Sequence, residues 1–156
     1  MTSPPVPAPD LPDTDMLRLD HQVCFSLHAA SRAFGGVYRD ALKDLGLTYP
    51  QYLAMMVLWE HGPLPVKAIG ERLHLDSGTL SPLLKRLESA GLVRRERSAE
   101  DERSVTVHLT DAGAALRERA LPVPRSILRA TGLSVQEVLA LQETLGRLTE
   151  SLDREG

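Results

Sequence analysis

The side chain best suited to chemistry in this sequence is the thiol of Cys24, the only cysteine among 156 residues. Apolar residues at helical spacing predict a helix that begins near Asp20 and runs through Phe34, so Cys24 lies in its first turn. Free N–H groups and the macrodipole at a helix N-terminus favour the thiolate, the form of cysteine that attacks peroxides. A lone cysteine is more often a small buried hydrophobe, but this position predicts an oxidant sensor.

Two histidines flank this cysteine. His21, Cys24 and His28 are spaced i−3, i and i+4 and can share one helix face, where nitrogen and sulfur ligands can hold zinc. No fourth ligand has a matching spacing, which weakens this second interpretation. The sequence shows no Ser/His/Asp order, phosphate-binding loop or paired carboxylates, so we expect neither an enzyme nor a bound cofactor.

The helix that carries Cys24 is expected to bend or break at Gly35–Gly36, because each glycine destabilises a helix by about 1 kcal/mol. A second segment is predicted from Val37 to Leu45. Thr48 and Gln51 then have the spacing of a capping box and predict the start of an apolar helix. We expect this third segment to be buried beneath the elements that follow it.

A helix-turn-helix is predicted next in the chain. Pro65 opens a short helix, and a very short turn joins it to a second helix that Asp76 or Ser77 can cap. Leucines recur at helical spacing along this second helix, and Gly91 ends it. Pro82 lacks a backbone donor, so the helix is expected to tighten or bend there.

A basic β-hairpin is predicted after that helix, with strands at 92–98 and 104–109 around a charged tip. Such a hairpin suits duplex DNA, because the helix fills the major groove while an arginine near the tip reaches the minor groove. Charges that are merely solvated are the simpler interpretation, but they do not explain basic residues on both elements. The candidate DNA contacts are Ser77, Thr79, Ser81, Lys85, Arg86, Arg95 and Arg103.

The distribution of charge supports a localised interface. The net charge is −3, yet basic residues slightly outnumber acidic ones between Lys67 and Arg103. Binding through a defined surface is therefore expected, and binding by bulk charge is not. The first twelve residues contain five prolines and neither Lys nor Arg, which predicts a flexible arm and no signal peptide. With no membrane segment apparent, the sequence predicts a cytoplasmic protein.

The C-terminal part predicts further helices. A helix from Thr110 to about Ala120 is interrupted by Pro122 and Pro124. Ser134 opens a last helix through a capping box, and its apolar residues repeat at 3-4-3-4 spacing. A seam of this kind favours pairing between subunits, and a homodimer matches a palindromic DNA site. The seam residues are Val138, Leu141, Leu145, Leu148 and Leu152.

Several short motifs resemble those of known regulators. The motifs Leu75–Leu80, Lys85–Glu88, Glu100–Arg103 and Leu109–Thr110 resemble the winged helix-turn-helix repressors of the MarR family. More narrowly, Gln22–Phe25 and Leu47–Tyr52 resemble the organic hydroperoxide resistance regulators (OhrR) within that family. The resemblance covers the chain from Leu19 to Leu152.

The resemblance implies a mainly α fold with a small β-hairpin wing. A flexible arm at 1–16 would precede one MarR-type domain at 17–156. The winged helix-turn-helix would occupy about 48–110, and dimerisation helices would occupy about 17–46 and 111–154.

The resemblance also implies a sensor centre. Cys24 would be the peroxide-sensing thiol, and Tyr38 and Tyr49, 14 and 25 residues later, would hydrogen-bond to it across the dimer interface. A phenol that donates to sulfur stabilises a thiolate. Without the cysteine, either tyrosine would be taken for a core residue. His28 stands where relatives commonly carry another tyrosine, and the 122–133 region lacks the second cysteine of the two-cysteine branch.

The function implied is that of a repressor. A reduced homodimer would bind double-stranded operator DNA, and an organic hydroperoxide would oxidise Cys24 to a sulfenic acid that a low-molecular-weight thiol can cap. Two other functions fit the pattern. One is a MarR-type repressor that senses a phenolic or other small ligand while Cys24 stays inert, and the other is a thiol peroxidase.

Overall fold

The computed structural model describes residues 16–101 and 103–156. Apart from Met16, the predicted arm at 1–16 lies outside these residues. The chain divides into two compact units, with the boundary between Gly36 and Val37. Within the described residues, no helix is both long enough and apolar enough to span a membrane.

The described part of the first unit contains a short 3-10 turn and most of one long helix. The turn spans Leu19–His21, and helix α1 spans Val23–Ala41. The expected helix start near Asp20 is wrong, because Asp20 lies in the 3-10 turn and pairs with Arg18 at 3.0 Å. The Gln22 amide donates to the Arg18 carbonyl at 2.8 Å and fixes the entry into α1.

Of the predicted bend or break at Gly35–Gly36, the break is wrong, because both glycines lie inside α1, and the bend stays a prediction. Residues 37–41 complete this helix, and a 3-10 turn spans Lys43–Leu45, so the separate segment expected from Val37 to Leu45 does not form. Two glycines destabilise a helix by about 2 kcal/mol, which a helix of 19 residues can offset. Gly46, with φ of 67°, ends the 3-10 turn in the left-handed conformation.

The second unit contains the predicted winged helix-turn-helix. Its helices after α1 are α2 (Tyr49–His61), α3 (Val66–Leu73), α4 (Ser77–Ser89), α5 (Asp111–Ala120), α6 (Pro122–Ala130) and α7 (Val135–Glu155). Its strands are β1 (Leu64–Pro65), β2 (Val93–Arg97) and β3 (Val105–Leu109). The fold class predicted from the sequence, mainly α with a small β wing, is confirmed.

The strands form one antiparallel sheet in the order β1-β3-β2. The predicted hairpin pairs β2 with β3, from Val93 opposite Leu109 to Arg97 opposite Val105. The sequence did not predict β1, which adds two residues beside β3. Side chains alternate along a strand, so Arg95 shares a face with the buried Val93 and lies on the core side of the sheet.

A row of leucines attaches α4 to the core of the second unit. Burial of one leucine contributes about 1.5–3 kcal/mol, so this row strongly fixes which face of α4 is turned outward. The buried leucines are those predicted from helical spacing, Leu80, Leu83, Leu84 and Leu87. They belong to one cluster with Met55 and Leu58 of α2, Ile69 of α3, Val93 of β2 and Val107 of β3.

Pro82 lies inside α4 without ending it. The helical bond that Pro82 cannot make would go to the carbonyl of Gly78, and both residues are exposed. Water can satisfy an exposed carbonyl, and Gly78 has no side chain to crowd the proline ring. The helix therefore continues to Ser89.

Two predicted capping boxes are confirmed. Gln51 donates its backbone N–H to Thr48 Oγ1 at 3.4 Å, and Thr48 donates its own to Gln51 Oε1 at 3.0 Å. Ser134 and Glu137 make the same reciprocal pair, with both distances 3.1 Å. These bonds satisfy N–H groups that a helix start leaves free.

The turn of the helix-turn-helix contains a left-handed residue. His74 ends α3 with φ of 56°, a conformation that is uncommon outside glycine but that histidine adopts more often than most residues. This conformation turns the chain sharply enough for α4 to begin at Ser77, three residues later. The turn is therefore as short as predicted.

The last three helices extend beyond the winged region. α5 ends at Ala120, as predicted, and Pro122 and Pro124 lie in the first turn of α6, where a missing N–H leaves no bond unmade. No residue of α7 is buried, and Leu141 and Leu152 of its predicted seam are 45% and 61% exposed. An open apolar face of this kind is available to a second subunit.

Candidate functional site

The outward face of α4 carries the predicted polar residues. Its cap, Asp76, accepts the backbone N–H of Thr79 at 2.7 Å, and this bond holds the pKa of the Asp76 carboxyl below its usual range. The helix therefore starts in a fixed position, with its first turn presented to solvent. All five predicted contact residues on the helix are exposed, namely Ser77, Thr79, Ser81, Lys85 and Arg86.

Hydrogen bonds connect the described residues of the wing tip. Ser98 Oγ accepts the backbone N–H groups of Glu100 and Asp101 at 3.2 and 3.4 Å. Asp101 accepts the N–H of Arg103 through its carboxylate at 3.0 Å and the N–H of Ser104 through its carbonyl at 2.9 Å. Arg103 is exposed, so these bonds present its side chain at the end of the wing.

A groove of about 970 Å³ separates the helix-turn-helix from the wing. Lys67 of α3 and Arg103 of the tip lie on its two sides, and His74 lines it at the turn. Three carboxylates also line it, those of Glu71, Asp76 and Asp101, and the two aspartates accept backbone N–H groups. The groove is therefore compatible with a phosphate backbone that runs between helix and wing.

Arg95 differs from the other predicted contact residues. Its Nη2 donates to Glu88 Oε1 at 3.2 Å, and its backbone N–H donates to Glu88 Oε2 at 2.9 Å. These bonds lower the pKa of Glu88. Arg95 borders the groove, but its guanidinium is paired within the protein. Glu88 lies seven residues before Arg95 on the preceding helix, and the sequence did not predict this pairing.

Cys24 is exposed in the first turn of α1, as predicted. The alignment of His21, Cys24 and His28 is not formed, because His21 lies in the 3-10 turn that precedes the helix. Among the described residues, no group of three His, Cys, Asp or Glu side chains is placed to hold a metal ion.

The two predicted sensor tyrosines are neighbours in the second unit. The ring centroids of Tyr38 and Tyr49 lie 4.6 Å apart, and Tyr49 is 43% exposed. Partial burial raises the pKa of Tyr38, and the phenols of Tyr49 and Tyr52 raise it further. Tyr38 therefore keeps its proton at neutral pH and can act as a hydrogen-bond donor.

Two further aromatic residues, which the sequence analysis did not single out, extend this pair. Tyr52 is 3% exposed, and its ring lies 6.0 Å from that of Tyr38 and 6.5 Å from that of Trp59. Burial raises the pKa of Tyr52, with a further contribution from Tyr49. Helical spacing within α2 could have indicated that Tyr52 and Trp59 share a face, because they are two turns apart.

A second cavity lies between the end of α1, the 3-10 turn after it, and helices α5 and α6. Its volume is about 530 Å³, and Leu45, Arg119 and Val123 contribute to its lining. Arg119 donates to the Asp44 carbonyl at 2.5 Å.

The fold and the polar outward face of α4 define a winged helix-turn-helix protein. The family model of the MarR family matches residues 47–105. The organic hydroperoxide resistance transcriptional regulator of Bacillus subtilis is 49% identical over 138 residues, which cover 88% of this chain and 94% of that protein. The chain therefore belongs to the MarR family.

Solved structures of AbfR, a protein of Staphylococcus epidermidis, are similar. The structure of reduced AbfR bound to DNA has a TM-score of 0.74 at 39% identity and covers 89% of this chain and 97% of that one. The structure of overoxidised AbfR bound to DNA has a TM-score of 0.72 at 38% identity, with coverage of 88% and 97%. Similarity to these structures extends across most of the chain.

Proposed function

We propose that this protein is a transcriptional repressor that senses organic hydroperoxides through Cys24. The observation that carries the proposal is an exposed single cysteine in the first turn of a helix, in a chain 49% identical to the Bacillus regulator. The reduced homodimer binds operator DNA, and oxidation of the thiol releases it. The protein acts where the DNA is, in the cytoplasm.

The DNA-binding part of the proposal uses α4 and the wing. α4 enters the major groove, where the hydroxyl groups of Ser77, Thr79 and Ser81 are available to base edges. Lys85 and Arg86, on the same helix, neutralise phosphates of the DNA backbone. Arg103 enters the minor groove from the wing tip, and Arg95 supports the wing while contributing less charge.

The dimeric part rests on the open face of α7. Within the described chain Leu141 and Leu152 of the seam are exposed and its other residues are half-buried, so a second subunit can cover this face. Two-fold symmetry then places two copies of α4 toward two half-sites of a palindrome. A change in the distance or angle between the two copies is sufficient to end binding, because half-site spacing is fixed by the DNA.

The sensing chemistry is a two-electron oxidation. The Cys24 thiolate attacks the hydroxyl oxygen of the hydroperoxide, and the S–O bond forms as the O–O bond breaks. The alkoxide takes up from solvent the proton that the thiol released and leaves as the alcohol. The sulfur of a low-molecular-weight thiol then attacks the sulfur of the sulfenic acid. The hydroxyl group leaves as water with the proton of the incoming thiol, and a mixed disulfide remains. Each Cys24 reacts once per signal, so the protein is a stoichiometric sensor and not an enzyme.

Tyr38 and Tyr49 complete the proposed sensor. A phenol that donates to the sulfur stabilises its anionic form and orients the peroxide. Their ring contact of 4.6 Å supports a shared role, because two donors held together can act on one group.

The size of the group added to the sulfur is expected to matter for release. Overoxidised AbfR has been solved bound to DNA, so overoxidation of a similar protein is compatible with a DNA complex. This chain has no second cysteine to form an internal disulfide. We therefore propose that capping by a small thiol, which adds bulk, completes release.

The test is a time course of operator binding with one equivalent of organic hydroperoxide, with and without a low-molecular-weight thiol. Intact mass of the protein reports the state of Cys24 at each time. We expect partial release with peroxide, full release with added thiol, and recovery with reductant. Release by a phenolic ligand but not by peroxide would select the small-ligand function instead, and multiple turnovers would select a peroxidase. Fast disulfide linkage between two Cys24 thiols, sufficient for release, would overturn the capping step.

A further inference from the structure

One side-chain hydrogen bond connects α2 to α5 across 54 positions of sequence. The indole Nε1 of Trp59 donates to the carbonyl oxygen of Gly113 at 2.9 Å in a partly buried position. Nothing in the proposed sensing or DNA contacts uses this bond. Its two ends nevertheless lie near the two regions that sensing must connect, the sensor tyrosines and the DNA-binding elements.

The Gly113 end is attached to the joint between α4 and β2. A Cβ at Gly113 would lie 2.0 Å from the carbonyl oxygen of Leu92, so the start of α5 packs directly on this joint. Thr110 donates through Oγ1 to the Gly91 carbonyl at 2.6 Å and through its N–H to the Leu92 carbonyl at 3.1 Å. A displacement of Gly113 must therefore displace the segment that joins α4 to the wing.

The Trp59 end is attached to the sensor tyrosines. Its ring meets Tyr52 edge-on at 6.5 Å, Tyr52 lies 6.0 Å from Tyr38, and Tyr38 lies 4.6 Å from Tyr49. We name these four residues the aromatic series. Tyr52 is buried and lies between the half-buried rings of Tyr38 and Trp59, so a displacement of Tyr38 can reach Trp59 through a packed residue.

We propose that Trp59 is a positioning residue that couples the sensor tyrosines to the joint between α4 and the wing. This inference rests on the proposed function. When Cys24 is oxidised and capped, Tyr38 and Tyr49 lose their sulfur partner and repack. The aromatic series carries that change to the Trp59–Gly113 bond, which moves the base of the wing relative to α4.

The test uses Trp59→Phe, which keeps a ring at the end of the series and removes the donor. Operator Kd is measured for the full-length dimer in its reduced state and in its fully thiol-capped state, with the oxidation rate of Cys24 measured in parallel. We expect the reduced Kd to change by less than about threefold, and the ratio of capped to reduced Kd to fall by about fivefold or more. The oxidation rate should not change.

Two control variants separate coupling from stability. Ile69→Val removes one methyl group from the core of the same unit, outside the series, and should leave the ratio of the two Kd values unchanged even where the Tm falls. Tyr52→Phe keeps the ring contacts and should also leave the ratio unchanged. Tyr52→Leu breaks the ring contacts but retains the indole donor, and it should lower the ratio as Trp59→Phe does.

The outcomes are distinguishable. If the unmodified protein is not released by peroxide and thiol, the proposed function fails. If it is released and both Trp59→Phe and Tyr52→Leu are released to the same extent, the proposed function stands and the coupling inference is wrong. Should Trp59→Phe not fold, Tyr52→Leu alone decides between these results.

Discussion

The carboxylate of Glu88 accepts two hydrogen bonds from Arg95, one from the backbone N–H at 2.9 Å and one from the guanidinium at 3.2 Å. This pair ties the last turn of α4 to the first half of β2. It also neutralises the guanidinium of Arg95, which the sequence predicts to contact DNA. The wing is thus attached to the recognition helix by a charged contact next to the proposed interface.

Replacing Lys85 and Arg95 separately should distinguish a phosphate contact from a paired cation. Lys85→Ala removes a phosphate contact, so the slope of log Kd against log salt should become shallower by about one unit. Arg95→Ala should change this slope by less, because Glu88 already neutralises its charge. Operator titrations between low and physiological salt measure both slopes. If the two variants change the slope equally, Arg95 contacts phosphate as Lys85 does.

Arg103→Ala should weaken operator binding by about 1–3 kcal/mol and leave the dimer intact, because the side chain extends from the wing tip. Asp101→Ala should weaken binding by a smaller amount. It removes the carboxylate that accepts the Arg103 backbone N–H but leaves the guanidinium of Arg103 in place. Binding titrations with size-exclusion chromatography as the control test both variants. Unchanged affinity of Arg103→Ala at both salt concentrations would remove the wing tip from the interface.

Cys24→Ser should bind the operator about as well as the unmodified protein and remain bound after treatment with peroxide and thiol. Serine preserves the shape of the residue and cannot be oxidised in this way. The measurement is operator binding before and after stoichiometric organic hydroperoxide. Release of this variant by peroxide would refute the thiol mechanism.

Tyr38→Phe and Tyr49→Phe should each slow the oxidation of Cys24 by roughly tenfold, equivalent to about 1.4 kcal/mol, because each removes a hydrogen bond to a charged sulfur. Operator affinity of the reduced protein should change little. Tyr52→Phe is the matched control, since it removes a buried phenol of the same aromatic cluster that is not assigned to the sensor. If all three variants are oxidised at the rate of the unmodified protein, Tyr38 and Tyr49 have no part in the sensor.

Asp76→Ala should lower the Tm by a few degrees at neutral pH, whereas Asp76→Asn should stay close to the unmodified protein because asparagine also caps helices. The folded state lowers the pKa of Asp76, so its contribution is present at neutral pH and is lost as the pH falls through the folded-state value. The Tm difference between the alanine variant and the unmodified protein should therefore shrink in acid. A difference that is independent of pH would exclude the ionised cap as its source.

The features predicted correctly from sequence are those with local causes. Thr48 and Gln51 are three residues apart, and their reciprocal hydrogen bonds need only the helix that they start. The leucines of α4 reveal the buried face because helix periodicity alone places them there. The same local reasoning failed at Gly35–Gly36, since propensity is a weak effect that a long helix overrides.

The features that the sequence did not reveal depend on residues distant in the chain. β1 exists only because β3, about forty residues later, offers it a partner. The bond from Trp59 to Gly113 joins two elements whose proximity follows from the whole fold. The pairing of Arg95 with Glu88 depends on the reversal at Gly91, so a residue that looks free in the sequence is engaged in the structure.

The partly exposed seam of α7 has a thermodynamic consequence. If a second subunit covers these leucines, association stabilises the folded chain by mass action, and the unfolding midpoint rises with protein concentration. Operator DNA binds the dimer and not the monomer, so its binding free energy adds to the same equilibrium. Folding, assembly and operator occupancy are then linked, and a repressor diluted away from its operator is also the least stable form of the protein.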